Sequence, residues 1–237
     1  MTQVSPLSAF ARRGRNKADL AWHPPATRHA ELFASAREAS GTGLALAFAR
    51  AQADEGDQRP WLWVQDAAAL RLGGRPYRPG LPPELRHRLL HVAAKSPEDA
   101  LFALEEGLRC RDLAFVIGEV AGNPRALSFT ASRRLSLVAE SHGVPLWLIR
   151  LDATRDLSSA RQRWEVRAAP SLLPRWNTAA PGLPACAAEL FRARNHPPGQ
   201  WILRDDGKSR LVAERATGTP HHGDLAGAAG DRSLAAG

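Results

Sequence analysis

Residues Leu113–Val120 have the sequence LAFVIGEV, a nearly continuous apolar run that is typical of a central strand in a parallel sheet covered on both faces. A second run of this kind, VPLWLIRL, covers Val144–Leu151. Helical patterns over Pro97–Arg109 and Ser128–His142 precede the two runs, and Ser96 occupies the position of an N-cap. Helices and strands that alternate in this way predict a doubly wound α/β sheet.

The N-terminal half of the chain continues this alternation. Its strand-like segments are short and apolar, and its helical segments carry apolar residues at a spacing of three or four. In chain order we predict a strand at His29–Ala34, a helix at Gly41–Ala53, a strand at Pro60–Gln65, a short helix at Asp66–Leu72, a Gly- and Pro-rich loop at Gly73–Pro83 and a strand at Arg88–Val92.

The C-terminal part alternates polar and apolar residues, which is the pattern of half-buried antiparallel strands. Two such segments are Gln162–Ala169 and Ala188–Arg194. Two more, Gln200–Arg204 and Ser209–Ala213, flank the hairpin-turn sequence Asp205-Asp206-Gly207-Lys208. The predicted fold class is therefore α/β, with a mostly parallel sheet flanked by helices and closed by antiparallel strands.

The chain has 237 residues, enough for one domain with a sizeable core. We predict a flexible basic arm at 1–27, the domain at 28–213 and a disordered tail at 214–237. No apolar run approaches the roughly 20 residues of a membrane helix, and no apolar stretch follows the basic N-terminus as in a signal peptide. We therefore expect a cytoplasmic protein with no membrane partner.

The net charge is about +8, and subtracting the 3 Lys from the 32 basic residues leaves 29 Arg. Such an excess favours acidic partners such as nucleic acid, although a GC-rich coding genome explains it equally well. Cys110 and Cys186 match no paired-thiol or zinc spacing. His87 and His91 have the spacing of two helical metal ligands, but no Glu lies between them and the segment has the pattern of a strand. We expect no metal site.

A degenerate nucleotide site is predicted where the first strand meets the first helix. Ser35–Gly43 (SAREASGTG) has the length of a phosphate loop, but the motif GxxxxGK[ST] places Thr42 at the lysine and Gly43 at the metal-binding hydroxyl. At the end of a later strand, Gly118 occupies the place of the metal-binding acid. We predict no catalytic residue and no bound cofactor, with ATP and Mg²⁺ as the open alternative. The residues of this site are Ser40, Gly41, Thr42, Gly43, Gln65, Asp66, Gly118 and Glu119.

A second candidate surface is rich in arginine. Arg161, Arg163 and Arg167 share one face of an alternating strand around Trp164. Arg192 and Arg194 share a face of the next strand and are followed by His196. Arginines beside an aromatic ring are suited to a single-stranded backbone and its bases, and we predict that these residues bind nucleic acid or a protein partner. A solvated outer strand face explains the pattern equally well.

The chain resembles the RecA-like recombinases over about residues 28–213, and more closely the ImuA family. The RecA-like resemblance rests on the stretches 31–56, 62–70 and 86–120. The resemblance to the ImuA family rests on six segments taken together. They are RPYRPGL (75–81), EDALFALEEGLRC (98–110), AFVIGEV (114–120), LSFTASRRLSLVAESHGVPLWLIR (127–150), RWEVRAAPS (163–171) and FRARNHPPGQWILR (191–204).

The resemblance implies a RecA-like core and an accessory role in SOS-induced, error-prone translesion DNA synthesis. The implied partners are an ImuB-like protein, an error-prone C-family DNA polymerase and RecA, with single-stranded DNA as a further contact. Compared with a working recombinase, the phosphate-binding lysine corresponds to Thr42, the water-activating acid to Ala67 and the metal acid to Gly118. Asp66 and Glu119 each lie one residue from such a position, and compensation by these two acids is the alternative. A non-hydrolysing adaptor is therefore expected, and the alternative is a DNA-dependent ATPase with an unorthodox nucleotide site.

Overall fold

A computed structural model of the chain describes residues 23–54, 56–171, 177, 180, 182–205 and 211–215. Within these residues nine strands form one sheet. They are β1 (His29–Ala34), β2 (Trp61–Gln65), β3 (Leu89–Ala93), β4 (Val116–Ala121), β5 (Leu146–Leu151), β6 (Gln162–Ala169), β7 (Ala185–Ala193), β8 (Gly199–Asp205) and β9 (Leu211–Arg215).

The strand order is β3-β2-β4-β5-β1-β6-β7-β8-β9. The six strands from β3 to β6 are parallel, and the pairs β6–β7, β7–β8 and β8–β9 are antiparallel. This confirms the predicted α/β class with a mostly parallel sheet and antiparallel closing strands. The predicted pairing of the last two strands is also confirmed, while their turn at 206–210 lies outside the described residues.

Five helices cover the two faces of the sheet in the described part of the chain. They are α1 (Ser40–Gln52), α2 (Ala67–Gly73), α3 (Pro83–Arg86), α4 (Pro97–Arg109) and α5 (Phe129–His142). Helices α1 to α3 pack on the Trp-rich face of β2, β4 and β5. Helices α4 and α5 pack on the opposite, aliphatic face. The parallel strands are therefore covered on both sides, as their apolar sequences require.

Local signals in the sequence fix most helix ends. The Ser96 hydroxyl accepts a hydrogen bond from the backbone N–H of Asp99 and caps α4, as predicted. Ser128 caps α5 in the same way, and Gly143 ends that helix in the left-handed region with φ +75°. The predicted loop over Gly73–Pro83 differs from the structure, since it holds a 3-10 turn at Arg78–Gly80 and its last residue begins α3. Proline is compatible with the first helical position, which explains this start.

Aromatic packing fixes α1 over the centre of the sheet. The Phe48 ring lies 5.4 Å from the ring of Trp147 on β5 and 5.1 Å from the ring of Trp164 on β6. All three side chains are fully buried. This contact fixes the helix axis, so that the first turn of α1 lies at the carboxyl end of β1.

The chain before β1 lies against the domain from residue 23 onward. The Pro25 carbonyl accepts hydrogen bonds from the side-chain amides of Gln52 and Gln162. Residues 23–27, which we predicted to be part of a loose arm, are thus anchored at the end of α1 and the start of β6. Residues 214 and 215, which we assigned to the predicted tail at 214–237, belong to β9. The rest of the predicted arm (1–22) and of the predicted tail (216–237) lies outside the described residues. No helix among the described residues is long and apolar enough to cross a membrane.

Candidate functional site

The predicted nucleotide site lies at the carboxyl edge of the parallel strands, where ligands bind in open α/β sheets. Gly41 makes the close approach of α1 to β1 possible, because a Cβ at this position would lie 2.6 Å from the Cβ of Ala34. Gly43 is exposed, and a Cβ there would meet no atom within 4 Å. Only the first of these two glycines is required by packing.

Thr42, Gln65 and Glu119 form one hydrogen-bonded group at this edge. The Thr42 hydroxyl donates to Glu119 Oε1 at 2.7 Å, and Gln65 Nε2 donates to Glu119 Oε2 at 2.6 Å. Gln65 and Glu119 are cross-strand neighbours in the register of β2 and β4. The structure therefore brings together three of the predicted site residues.

His91 joins this group from the edge strand, since its Nε2 lies 2.8 Å from Gln65 Oε1. Sequence reasoning considered His91 only as a metal ligand and missed this contact, which requires knowledge that β3 pairs with β2. Burial lowers the pKa of His91, and the nearby charges of Arg75 and Arg78 lower it further. In the part of the chain that the structure describes, no cluster of three or more potential metal ligands occurs.

Glu119 is a buried carboxyl group with an altered proton affinity. Its side chain is 4% exposed, and this burial raises the pKa above its ordinary value. The hydrogen bonds from Thr42 and Gln65 act in the opposite direction because they stabilise the ionised form. The nearby charge of Asp66 raises the pKa further.

Asp66 has a structural role at the start of α2. Its Oδ1 accepts a hydrogen bond from the Ala69 backbone N–H at 2.6 Å, which caps the helix. Its own backbone N–H donates to the carbonyl oxygen of Glu119 at 3.1 Å. The second carboxylate oxygen, Oδ2, is buried without a hydrogen-bond partner among the described residues.

Gly118 does not belong to the site, and the prediction that it marks the place of a metal-binding acid is wrong. Successive residues of a strand point to opposite faces, and Glu119 faces Thr42. A Cβ at Gly118 would instead lie 2.9 Å from Leu148 and 3.0 Å from Leu104, inside the core beneath α4 and α5. The carboxylate that reaches the candidate site comes from Glu119.

Glu38 is a further site residue that sequence reasoning missed. Its Oε1 accepts hydrogen bonds from the Ser40 hydroxyl at 2.8 Å and from the Ala168 backbone N–H at 2.9 Å. Because Ser40 is the first residue of α1, this carboxylate lies near the positive end of the helix dipole, where a phosphate would otherwise bind. An acidic residue within the loop sequence was the available signal.

The arginine surface is not one continuous face. Arg163 is 4% exposed, and its Nε donates to Glu31 Oε2 on β1 at 2.8 Å. The prediction that it contacts nucleic acid or a partner is therefore wrong, because β1 lies beside β6 and supplies a buried counter-ion. Arg161 and Arg167 lie at opposite ends of β6, roughly 20 Å apart at 3.3 Å per residue.

The other five predicted residues of the arginine surface lie in three separate places. Arg167 is exposed near the carboxyl ends of β1 and β5, in a cleft of about 450 Å³ that also contains Glu38 and Asp152. Arg161, Arg194 and His196 line a larger cleft of about 810 Å³ at the opposite edge of the sheet. Arg192 is exposed on β7. The structure thus joins three of the six predicted residues at one cleft.

Comparisons with known proteins identify no family for this chain. No family model matches the chain. No curated protein matches it either. Among solved structures, the crystal structure of SulA from Pseudomonas aeruginosa is 25% identical in sequence, with a TM-score of 0.32. The match covers 46% of this chain and 86% of that chain. A TM-score of this size supports no inference about fold or function.

Proposed function

We propose that the protein is a non-hydrolysing, RecA-like accessory protein of SOS-induced, error-prone translesion DNA synthesis. In this role it contacts an ImuB-like protein, a C-family DNA polymerase and RecA or single-stranded DNA. The observation that carries the proposal is the hydrogen bond from the Thr42 hydroxyl to Glu119. It occupies the position where a hydrolysing enzyme needs a free lysine.

The charges around this hydrogen bond disfavour a nucleoside triphosphate. Glu119 accepts from Thr42, and Glu38 binds Ser40 in the first turn of α1. Two carboxyl groups thus lie where a phosphate loop presents a lysine and free backbone N–H groups. Lys95, the one lysine among the described residues, follows β3 and is separated from β1 by three strands, or about 19 Å at 4.8 Å per spacing.

The arrangement of the sheet supports the RecA-like part of the proposal. The loop 35–39 joins β1 to α1 in the centre of a parallel sheet with helices on both faces. This is the place that a phosphate-binding loop occupies in nucleotide-binding α/β folds. The antiparallel strands β7 to β9 extend one edge, in agreement with the resemblance of their sequences to the ImuA family. The proposed partners rest on that resemblance.

A nucleotide-binding assay distinguishes the proposed adaptor from an ATPase. We expect the purified full chain to bind no fluorescent ATP analogue in the presence of Mg²⁺ at up to millimolar concentrations. The variant Thr42→Lys/Gly43→Ser restores the lysine and the metal-binding hydroxyl, and Gly43 has space for a side chain. It serves as the positive comparison, and Thr130→Lys on the exposed start of α5 is the matched control.

A DNA-dependent ATPase is the second candidate because Glu119 brings a buried carboxyl group onto the site face of β4. A carboxyl group with a raised pKa in this position is suited to general base catalysis. Tight binding of MgATP by the unaltered chain, with hydrolysis stimulated by single-stranded DNA, would replace the adaptor proposal with this one.

The proposed partners are tested by co-purification. The tagged full chain is recovered from its own cells after DNA damage, and the captured proteins are identified by mass spectrometry. We expect an ImuB-like protein and a C-family polymerase to be enriched over an untreated culture and over an untagged control. Recovery of neither a polymerase nor a recombinase would contradict the proposal.

A further inference from the structure

A second cleft lies at the amino ends of β1 and β6, at the opposite end of the parallel strands from the candidate nucleotide site. It has a volume of about 810 Å³ and is bounded by residues 23–28, the end of α1, the start of β6 and the end of β7. Helix α1 connects the two sites, with Ser40 at one and Gln52 at the other. Its 13 residues separate them by roughly 20 Å at 1.5 Å per residue.

Three arginines come to this cleft from three adjacent strands. Arg28 precedes β1, Arg161 precedes β6 and Arg194 follows β7. Backbone hydrogen bonds place them side by side, since Arg161 N–H donates to the His29 carbonyl and Arg194 N–H donates to the Arg161 carbonyl, both at 3.0 Å. With neighbouring strands about 4.8 Å apart, the three backbone positions lie within about 10 Å.

The cleft has an excess of positive charge. Glu140 is the one acidic side chain among its described lining residues, and Arg161 already binds it through Nε and Nη2 at 2.5 and 2.9 Å. The pKa of Glu140 is lowered, first by this hydrogen bond and then by the charges of Arg161 and Arg194, so the carboxyl group stays ionised and offsets one of the three positive charges. Arg28 and Arg194 are exposed and form no ion pair with a described residue. Two guanidinium groups therefore remain for an anionic ligand.

We propose that this cleft binds the phosphate backbone of single-stranded nucleic acid. Arginine forks bind phosphate oxygens through paired hydrogen bonds. His196, which lines the cleft, is partly exposed, and its ring lies 6.2 Å from the partly buried ring of Trp201. The imidazole ring of His196 therefore offers an aromatic surface on which a base can stack. The inference deepens the proposed function, on which it rests, by assigning its single-stranded DNA contact to this cleft.

Residues 1–22, which come before the residues that line the cleft, are poorly suited to bind in it. Residues 1–22 contain four basic side chains and a single acidic one, Asp19. A basic segment is repelled by the cleft, whereas a polyanion releases counterions when it binds there. The charge of the cleft therefore favours nucleic acid over this segment.

The test measures fluorescence anisotropy of a labelled oligothymidylate of about 16 nucleotides, the upper end of the site sizes of single OB folds. Salt is varied for the full chain and for Arg28→Ala/Arg194→Ala. We expect the double variant to bind at least about tenfold more weakly at low salt. The slope of log K against log salt should fall by about 1.4, because each lost single-strand phosphate contact contributes about 0.7.

Arg71→Ala is the matched control, since it removes an exposed arginine on α2, far from the cleft. It should change neither affinity nor slope beyond the effect of one unit of net charge. Arg28→Gln/Arg194→Gln and thermal unfolding of each variant separate a binding defect from a folding defect. The two arginine side chains are exposed, so all variants are expected to fold.

Three results would overturn the assignment. One is that the unaltered chain does not bind the oligonucleotide at low salt, and another is that the double variant binds like Arg71→Ala. The third is that a polyglutamate peptide of equal charge displaces the oligonucleotide equally well, which would identify a docking site for an acidic protein segment. ATP binding is measured on the same samples, so that a failure of this inference is distinguishable from a failure of the adaptor proposal.

Discussion

Glu31 on β1 and Arg163 on β6 form a buried ion pair, with 2.8 Å between Glu31 Oε2 and Arg163 Nε. The two side chains are 0% and 4% exposed, and their residues are direct partners in the parallel register of the two strands. Arg150 on β5 approaches the other oxygen of Glu31 at 3.7 Å, and Ser158 donates to it at 2.6 Å. The charge of Glu31 is therefore neutralised within the domain.

Removal of Arg163 should destabilise the domain and leave its ligand binding unchanged. In Arg163→Met the Glu31 carboxylate keeps the hydrogen bond from Ser158 and the more distant charge of Arg150, but it loses its closest charged partner. We expect a loss of about 3 kcal/mol in the free energy of unfolding, measured by urea denaturation.

Arg167→Met is the matched control on the same strand. The Arg167 side chain is 76% exposed and pairs with Glu165 only at 3.6 Å, so its loss should change stability by about 0.5 kcal/mol or less. Equal stability of the two variants would contradict the structural role of Arg163 and would return it to the set of candidate ligand contacts.

The arginines in and next to β6 show how much a sequence pattern can predict. Alternation placed Arg161, Arg163 and Arg167 on one face of a strand; β6 contains Arg163 and Arg167 at that spacing, whereas Arg161 lies just before its first residue. It did not show that Glu31 lies opposite Arg163, because parallel neighbours such as β1 and β6 are more than 100 residues apart in the chain. Local periodicity assigns a face to a residue, but only the strand order reveals which groups cover it.

The candidate nucleotide site also combines features that could be predicted from local sequence with contacts that could not. The loop after β1, the missing lysine and the capping serines depend on neighbouring residues and could be predicted. Whether Gly118 or Glu119 faces the site depends on which residues of β4 point toward α1. A shift of one residue along a strand exchanges the two faces, and the sequence of β4 alone does not fix this shift. The position of Glu38 in the loop was visible in the sequence, but its contact with Ala168 was not, because the two residues lie 130 positions apart.

Gly118→Asp, which places an acid at the position expected from sequence, should fail to create a metal site. Its Cβ would be 2.9 Å from Leu148, and its carboxylate would be buried among leucines of the core. We expect a loss of more than about 4 kcal/mol in stability, or insoluble protein, with no gain in Mg²⁺-dependent nucleotide binding. Gly118→Ala should cost about 1–3 kcal/mol through overpacking alone. A stable, metal-binding Gly118→Asp variant would contradict the assigned face.

Glu119 should make stability depend on pH. Because burial raises its folded-state pKa above the unfolded value, the folded state binds this proton more tightly. Its contribution is therefore most favourable at acid pH and is lost as pH rises through the unfolded pKa of about 4.3 toward the raised folded value. Relative to the unaltered chain, Glu119→Gln should gain stability as pH rises from about 4 to about 7, measured by urea denaturation.

The matched control for Glu119→Gln is Glu106→Gln. Glu106 is half-exposed on α4 and pairs with Arg109 at the surface. Its replacement should leave the pH dependence of unfolding close to that of the unaltered chain, since surface ion pairs contribute little. A Glu119→Gln variant whose stability follows the same pH curve as Glu106→Gln would show that Glu119 is not the buried acid of the structure.

His29 should dominate the loss of stability in mild acid. It is 0% exposed, its Nδ1 lies 2.7 Å from the Ser136 hydroxyl, and burial lowers its pKa to about 4. The folded state therefore resists protonation, and the contribution of His29 is complete above about pH 6.5 and falls as pH decreases toward 4. From these two values we expect a loss of about 2 kcal/mol between pH 7.5 and pH 5, measured by urea denaturation.

His29→Asn keeps a polar group near Ser136 but cannot gain a proton in this range. It should be less stable than the unaltered chain at neutral pH, because the smaller side chain leaves a cavity, yet its stability should change less between the two pH values. His87→Gln, which removes an exposed imidazole after α3, should retain the full pH dependence. If His29→Asn lost as much stability in acid as His87→Gln, the proton that destabilises the fold would bind elsewhere in the chain.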